Sequence, residues 1–178
     1  MTSAPEAAQL APMPNPPTIT RLSAPIDPAR LAKLHRLNQD HAEALSSLSP
    51  VALERLIGGA YLAATVDDGD GLVVVCDQTT DYDSPNFLWF KARYDRFVYV
   101  DRIVVSDARR GEGLARQLYD TVFAAARADG HSQVVCEVNY DPPNPGSDAF
   151  HDRLGFVEVG RAVLADRGKG VRYLRREL

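Results

Sequence analysis

The chain has 178 residues, a mass of 19.5 kDa and 45% hydrophobic residues, which suffices for one ordinary globular domain with a sizeable core. Its formal net charge of −4 argues against nucleic acid as a partner, because nucleic-acid-binding domains normally present a basic face. The sequence contains no apolar run of membrane-spanning length and no basic start leading into an apolar secretory segment, so we expect no membrane partner and a cytoplasmic location.

The first predicted elements are a tail, a short strand and two helices. Residues 1–17 are rich in Pro and Ala and show no usable period, which predicts a disordered tail ahead of a single domain over 18–178. A short strand is expected at 18–22. Asp27-Pro28 and Ser49-Pro50 each combine an N-cap residue with a proline, a pair that typically starts a helix.

The remaining elements follow from apolar periodicity and turn residues. They are a hairpin of strands at 61–66 and 72–76, a strand at 97–105, a helix at 113–129, a strand at 134–138, a helix at 148–154, and a last strand pair at 157–164 and 171–175. The strand–helix–strand unit in the middle implies a right-handed crossover, and therefore a parallel strand pair. The sequence thus predicts an α/β protein with a mixed sheet.

The most informative stretch is VYVDRIVVSDARRGEGLA at 98–115, where a strand runs through a glycine-rich loop into a helix. The first N–H groups of a helix have no partner within it, and the helix dipole adds partial positive charge there. Gly111 and Gly113 allow a ligand to approach the backbone closely, while Arg109 and Arg110 add cationic side chains. This pattern predicts a phosphate or pyrophosphate site.

Two common phosphate loops do not fit this sequence. A P-loop requires Lys and Ser/Thr after its last glycine, whereas Gly113 is followed by Leu114 and Ala115. A dinucleotide-binding loop requires a third glycine, and this chain has Arg116 at that position. An NAD-binding oxidoreductase is therefore only a weak alternative.

The loop instead resembles a coenzyme A loop. Residues 110–115 read R-x-x-G-x-A, which is similar to the pyrophosphate loop of the GNAT superfamily of N-acetyltransferases. Residues 144–156 resemble the second signature of that superfamily, N-x-x-A-x-x-x-Y-x-x-x-G-F, with Asn144, Gly155 and Phe156 in register. Ser147 replaces the alanine of this signature and His151 replaces its tyrosine.

The resemblance implies a fold, a co-substrate and a set of binding residues. The implied fold is a mixed, mostly antiparallel central sheet with one splayed parallel strand pair and helices on both faces. The implied co-substrate is acetyl-CoA, with its pantetheine between the splayed strands. The implied cofactor-binding residues are Ile103, Val104, Val105, Arg109, Arg110, Gly111, Glu112, Gly113, Leu114, Ala115 and Asn144. For Asn144, a purely structural role as a turn residue is the alternative.

Acetyl transfer to an amine needs a group that removes a proton and a group that protonates the leaving thiolate. Asp101 and Glu137 are carboxylates within apolar strands, so either could be the base, with ion pairing as the alternative for both. Successive residues of a regular strand point to opposite faces, so Asp101 is not expected to pair with Arg102. His151 replaces the thiolate-protonating tyrosine and could act as acid or base, with a purely structural role as the alternative. Tyr140 is the second candidate donor.

The acceptor site is sought in the aromatic and acidic segment at 81–90. Asp81 or Asp83 could attract a cationic amine while Phe87 and Trp89 cover its carbon chain. The alternative is a hydrophobic cap over the core with solvated acids.

We therefore expect an acetyl-CoA-dependent N-acetyltransferase that acts on a small-molecule or peptide amine, with a homodimer left open. A non-catalytic acyl-CoA-binding or sensing module is the alternative. No metal is expected, since no His/Cys cluster has ligand spacing. Cys76 and Cys136 lie in apolar runs and are expected to be buried, reduced thiols.

Overall fold

The computed structural model describes residues 16–178, apart from the side chain of Asp166. Within this range the strands are β1 (Ile19–Arg21), β2 (Leu62–Val66), β3 (Gly71–Asp77), β4 (Val98–Val105), β5 (Gln133–Asp141), β6 (Val157–Leu164) and β7 (Lys169–Glu177). The α-helices of the described residues are α1 (Pro28–Asp40), α2 (Ala42–Leu45), α3 (Pro50–Gly59), α4 (Pro85–Lys91), α5 (Leu114–Ala128) and α6 (Pro145–Arg153). The predicted tail lies almost entirely outside the described residues, and its boundary stays a prediction.

Over residues 16–178 the seven strands form one sheet in the order β1-β2-β3-β4-β5-β7-β6. All neighbouring strands are antiparallel except β4 and β5, which are parallel. Within the described chain, β4 and β5 pair only at Val98 with Val134 and at Tyr99 with Val135, and then diverge. The predicted mixed, mostly antiparallel sheet with one splayed parallel pair is therefore confirmed.

Helices cover both faces of the sheet, as the fold prediction requires. The apolar stripe of α5 packs on one face, together with the end of α6. Helices α1 and α3 pack on the other face through Leu34, Leu37, Leu53 and Ile57. Helix α4 covers the same face further along with an aromatic cluster, which we define as Phe87, Phe90, Phe97, Tyr99 and Tyr173.

Helix α4 was not predicted from the sequence. The segment at 81–90 was interpreted as a substrate loop, yet Ser84-Pro85 places a proline at the first helical position, as at the start of α3. Phe87 and Phe90 then face inward three residues apart and are fully buried. The hydrophobic cap that we considered as the alternative is thus what this segment forms.

A β-bulge in β4 overturns one prediction about the candidate base. Val74 of β3 pairs with Arg102 and Val75 pairs with Val100, so that Asp101 is the extra residue. The bulge breaks the alternation of side chains, and Arg102 Nε lies 2.9 Å from Asp101 Oδ2. The expectation that these two residues would not pair was wrong, because it assumed a regular strand.

Three further observations concern the described residues. Cys76 and Cys136 are free and buried, as expected. No described helix combines the length and the hydropathy that crossing a bilayer requires. No group of three metal-ligating side chains occurs among the described residues.

Candidate active site

A cleft of about 750 Å³ opens at the carboxyl end of β4, and we name it the cofactor cleft. The glycine loop, the start of α5 and one face of α6 form its walls. Of the predicted cofactor residues, those that line it are Ile103, Val104, Val105, Arg109, Arg110, Gly111, Gly113, Leu114, Ala115 and Asn144. The structure therefore gathers ten of the eleven predicted residues around one cavity, all except Glu112.

The glycine loop leaves room for a ligand at the start of α5. Gly111 and Gly113 have φ angles of +84° and +78°, which favour glycine, and a Cβ at either position would meet no described atom within 4 Å. The first backbone bond at this end runs from Gln117 N to Gly113 O, so the N–H groups of 114–116 remain for another partner. The loop thus has the open backbone and free donors that a pyrophosphate requires.

Arg109 has a structural role beside this loop. Its Nη1 lies 2.6 Å from Asp70 Oδ2 and 3.2 Å from Asp67 Oδ2, and its Nε lies 2.8 Å from Glu112 Oε2. Hydrogen bonds to Glu112, Asp70 and Asp67 raise the pKa of the Arg109 guanidinium. Arg109 and Glu112 therefore connect the glycine loop to the β2–β3 turn. The other cleft arginines, Arg110, Arg116 and Arg153, are exposed, and the first two pair with the exposed carboxylates of Asp107 and Asp120.

The β4 residues and Asn144 contribute to the cleft in different ways. Ile103 and Val105 are partly buried on the α5 side of the sheet, whereas the Val104 side chain packs in the core on the opposite face. Val104 can therefore offer only its backbone to the cleft. Asn144 caps α6, since its Oδ1 accepts from Ser147 N at 3.1 Å. It lines the cleft and fulfils the structural alternative at the same time.

A smaller cavity of about 100 Å³ lies where β4 and β5 diverge, and we name it the inner cavity. It shares Ile103, Asn144, Ser147 and His151 with the cofactor cleft, so the two spaces adjoin. The three predicted catalytic residues, Asp101, Glu137 and His151, all line it. The fold therefore brings together three side chains of which the outermost two, Asp101 and His151, lie 50 positions apart in the sequence.

Glu137 has one oxygen held and one oxygen free. Its Oε1 accepts from Asn86 Nδ2 at 2.8 Å and from Tyr99 Oη at 3.2 Å. Its Oε2 is buried and has no hydrogen-bond partner among the described residues. Burial, followed by the negative charge of Asp101, raises the pKa of Glu137 to about 7. A carboxylate with a free oxygen and a pKa near neutrality is suited to accept a proton.

Asp101 has both of its oxygens bound. Oδ1 accepts from Tyr82 Oη at 2.7 Å and Oδ2 from Arg102 Nε at 2.9 Å. Arg102 in turn donates through Nη1 to the fully buried Asn38 of α1. The alternative that we considered, an ion pair, is thus present at Asp101, and Glu137 is the carboxylate better placed to act as the base.

His151 is buried and its two ring nitrogens are both bonded. Nδ1 lies 2.8 Å from the carbonyl oxygen of Ser147, so the proton belongs on Nδ1. Nε2 then accepts from Tyr119 Oη at 2.8 Å. Burial lowers the pKa of His151, opposed by its bond to Ser147. The ring is therefore a neutral acceptor of the Tyr119 proton, and the two side chains act as a pair.

The other predicted residues lie away from the inner cavity. Tyr140 packs against Gly170, where a Cβ would come within 2.5 Å of its ring. Phe87 is fully buried in the aromatic cluster, and Asp81 and Asp83 are exposed. Trp89 lies between Tyr173, at 4.1 Å between ring centroids, and the guanidinium of Arg93. None of these residues lines the described cavities.

Sequence reasoning missed the residues that hold the candidate catalytic groups. Asn86 and Tyr99 bind Glu137, and Tyr119 binds His151. The two tyrosines occupy positions that apolar periodicity assigns to the core, so nothing in the sequence separated them from packing residues. For Asn86, the Ser84-Pro85 pair is a helix-start signal that would have predicted its position in the first turn of α4, where it is buried.

Comparison with known proteins agrees with this geometry. A sequence model of the acetyltransferase (GNAT) family matches residues 34–156. Ard1 from Thermoplasma volcanium has a similar structure, with a TM-score of 0.69 and 17% identity, covering 91% of this chain and 97% of that chain. Arabidopsis thaliana NAA60, in complex with acetyl-CoA, gives a TM-score of 0.68 at 14% identity, covering 92% and 99%.

The ribosomal-protein-S18-alanine N-acetyltransferase from Escherichia coli is similar as well, with a TM-score of 0.63 at 15% identity, covering 90% of this chain and 93% of that chain. No curated protein sequence matches the chain. The family match extends over most of the chain and includes both signatures, and the chain therefore belongs to the GNAT family of acetyltransferases. Its class of activity is that of an acyltransferase.

Proposed function

We propose that the protein transfers the acetyl group of acetyl-CoA to a primary amine by direct attack of the amine, with Glu137 as the base. The observation that carries this proposal is the free, buried Oε2 of Glu137 in the inner cavity, which adjoins the cofactor cleft. A carboxylate with a pKa of about 7 beside the cofactor cleft is typical of an active site, which favours catalysis over an acyl-CoA-binding module.

The residues of the cofactor cleft fit acetyl-CoA. The open backbone at Gly111 and Gly113 and the free N–H groups of 114–116 suit the pyrophosphate, and Arg110 adds charge beside them. The unpaired edge of β4 beyond Val100 offers backbone groups to an extended chain. When bound, acetyl-CoA supplies an acetyl group activated as a thioester.

Glu137 removes the proton that keeps the acceptor amine from attacking. A primary amine is an ammonium ion near neutral pH, and only its neutral form has a lone pair for the carbonyl carbon. Glu137 Oε2 accepts the proton while Asn86 and Tyr99 hold Oε1 in place. Holding the carboxylate in one orientation increases the fraction of encounters with the correct geometry.

We propose that the Tyr119–His151 pair supplies the proton for the leaving thiolate. His151 lines both the cofactor cleft and the inner cavity, and its bond to the Ser147 carbonyl fixes the ring. The proton that the thiolate takes is the hydroxyl proton of Tyr119, which His151 Nε2 accepts in the resting state. The resulting phenolate recovers a proton from solvent through the two adjoining cavities. Tyr119 is thus the proton donor in place of the tyrosine of the signature, and His151 orients the Tyr119 hydroxyl.

Charge favours a cationic acceptor in a cavity that adjoins the cofactor cleft. The cofactor cleft has four arginines and, among the described residues, no carboxylate. A third cavity of about 270 Å³ adjoins it at His41, Ala44 and Asn144 and is lined by Asp40 and Glu43. The acidic side would attract an ammonium ion. Since Ard1 and the ribosomal-protein-S18-alanine N-acetyltransferase are similar in fold, peptide amines belong in the acceptor panel beside small-molecule amines.

The test is thiol release from acetyl-CoA in the presence of an amine panel, with calorimetric binding of acetyl-CoA measured in parallel. We expect saturable binding and turnover with at least one amine. Glu137→Gln should bind acetyl-CoA normally and lose turnover. Binding without turnover for any amine would favour the acyl-CoA-binding module, and an unchanged rate in Glu137→Gln would remove the base from the proposal.

A further inference from the structure

We propose that Asp101 is a positioning residue: a fixed negative charge, held on the bulge of β4, that adjusts the proton affinity of Glu137. The inference rests on the proposed function for its catalytic meaning. It gives a role to the one carboxylate of the inner cavity that cannot serve as the base, and to the buried arginine beside it.

The position of Asp101 depends on the bulge. Because Asp101 is the extra residue opposite Val74 and Val75, its side chain turns to the same side as that of Arg102. The pair is almost fully buried, with 6% of the Asp101 side chain and 4% of the Arg102 side chain exposed. Tyr82 Oη completes the set of donors at 2.7 Å from Oδ1. Both oxygens of Asp101 are therefore held in place, one by an arginine and one by a phenol.

A second layer of contacts fixes this charge in the fold. Arg102 donates through Nη1 to Oδ1 of Asn38, which is fully buried on α1. Asn38 Nδ2 also lies 3.3 Å from the carbonyl oxygen of Ser46, just past α2. Ala44 and Leu45 of α2 line the inner cavity. One chain of hydrogen bonds thus connects the α2 wall of the cavity to the carboxylate that faces Glu137.

Asp101 and Glu137 interact across the space between the diverging strands. Both line the inner cavity, at positions of β4 and β5 that lie beyond the two paired residues of these strands. Like charges in a space with little water repel each other and disfavour ionisation of the more basic carboxylate. Among the charges around Glu137, that of Asp101 has the largest effect on its pKa, and only burial raises this pKa more.

The other titratable groups around Glu137 are neutral at physiological pH, apart from Arg102. Tyr99 of β4 donates to Glu137, and Tyr173 of β7 reaches it through Asn86 of α4. Burial raises the pKa of Tyr99 and of Tyr119 well above the ordinary value, and that of the adjacent Cys136 thiol in β5 as well. His151 of α6 is the neutral acceptor described above. Asp101 is accordingly the one negative charge among these groups of the described chain.

The experiment measures the pH at which Glu137 is half protonated, first by NMR titration and then from the pH dependence of the turnover rate. Glutamate labelled with ¹³C at the side-chain carboxyl is titrated by NMR, with Glu137 assigned from its absence in Glu137→Gln, and the acid limb of the pH–rate profile is recorded for each variant. Asp101→Asn removes the charge, Tyr99→Phe removes a hydrogen bond to the ionised form, and Asp95→Asn removes an exposed carboxylate between α4 and β4 as the matched control.

We expect the midpoint to fall by about one pH unit in Asp101→Asn, to rise in Tyr99→Phe and to stay at the wild-type value in Asp95→Asn. Loss of the fold would expose Glu137 and lower its midpoint, so the fold of each variant is verified by circular dichroism before titration, and a rise in Tyr99→Phe cannot come from exposure. If Asp101→Asn does not fold, the double variant Asp101→Asn/Arg102→Met removes the same charge without an unpaired buried arginine, and a fall is again expected because Asp101 is the largest charge on Glu137.

Two failures are distinguishable. A midpoint that is unchanged or raised in Asp101→Asn overturns the inference, whether or not amines are acetylated. A midpoint that falls in the NMR titration while the wild-type protein acetylates no amine supports the electrostatic inference and overturns the proposed function instead.

Discussion

The glycine loop allows a matched pair of substitutions that separates backbone strain from loss of the co-substrate site. Gly113 and Gly155 have φ angles of +78° and +80°, and a Cβ at either position would meet no described atom within 4 Å. Gly113 lines the cofactor cleft, whereas Gly155 connects α6 to β6 outside the described cavities. Alanine therefore imposes the same strain at both positions and obstructs a ligand at only one.

The left-handed conformation costs a non-glycine residue about 1–2 kcal/mol. For a chain of this length, we expect both variants to lose roughly 2–8 °C in Tm. Alanine also restricts the unfolded chain, which offsets part of the loss equally in the two variants. At Gly113 the added methyl group would keep the pyrophosphate from the backbone N–H groups of α5. A lost hydrogen bond to a charged group contributes about 1.5–3 kcal/mol, which corresponds to roughly 10- to 100-fold weaker binding of acetyl-CoA.

The assay is calorimetric titration with acetyl-CoA at a temperature where both variants are folded, which circular dichroism verifies. We expect Gly155→Ala to bind acetyl-CoA like the wild-type protein and Gly113→Ala to bind it at least tenfold more weakly. Equal affinities in the two folded variants would refute the assignment of this loop as the pyrophosphate site.

Three further predictions concern the inner cavity. Glu137→Gln should lower kcat/KM for the amine at least about 100-fold, measured as the rate of thiol release from acetyl-CoA. The pKa of Glu137 is raised from 4.5 to about 7, so the folded state binds this proton more tightly than the unfolded state does. As pH rises from 4.5 to 7, the wild-type protein should therefore lose stability relative to Glu137→Gln, which Tm measurements at pH 5 and 8 would show. His151→Ala and Tyr119→Phe should each lower kcat more than the affinity for acetyl-CoA. Wild-type activity in both variants would exclude the pair as the proton source of the thiolate. Arg102→Met should destabilise the protein by about 3–5 kcal/mol in urea unfolding by leaving Asp101 buried and unpaired, and adding Asp101→Asn should recover part of the loss.

The sequence was sufficient to predict the elements that local signals define. The N-cap and proline pairs at α1 and α3, the periodicity of α5 and the glycine loop before it all depend on neighbouring residues, and each was found where expected. The order of a strand, a helix and a strand gave the parallel pair, because the hand of such a crossover is nearly fixed. Because the end of β4, the glycine loop and the start of α5 line the cofactor cleft, most of the cleft could be predicted with them.

The details of the inner cavity could not be predicted, because they arise between elements distant in sequence. The bulge at Asp101 depends on how β3 pairs with β4, and no turn residue marks it. The hydrogen bond from Asn86 to Glu137 spans 51 positions, and the bond from Tyr119 to His151 spans 32. Which carboxylate keeps a free oxygen is decided by these contacts, so the sequence left Asp101 and Glu137 as equal candidates.

The chain has a single tryptophan, Trp89, and it lies on the helix that carries Asn86, a hydrogen-bond partner of Glu137. It lies on α4, three residues after Asn86, stacked on Tyr173 and covered by Arg93. Both Asn86 and Tyr173 belong to the hydrogen-bonded group that holds Glu137. Indole emission responds to its immediate surroundings, so the intrinsic fluorescence of the protein is a one-residue optical signal from the helix that orients the base. Acceptor titrations can therefore be followed without a label.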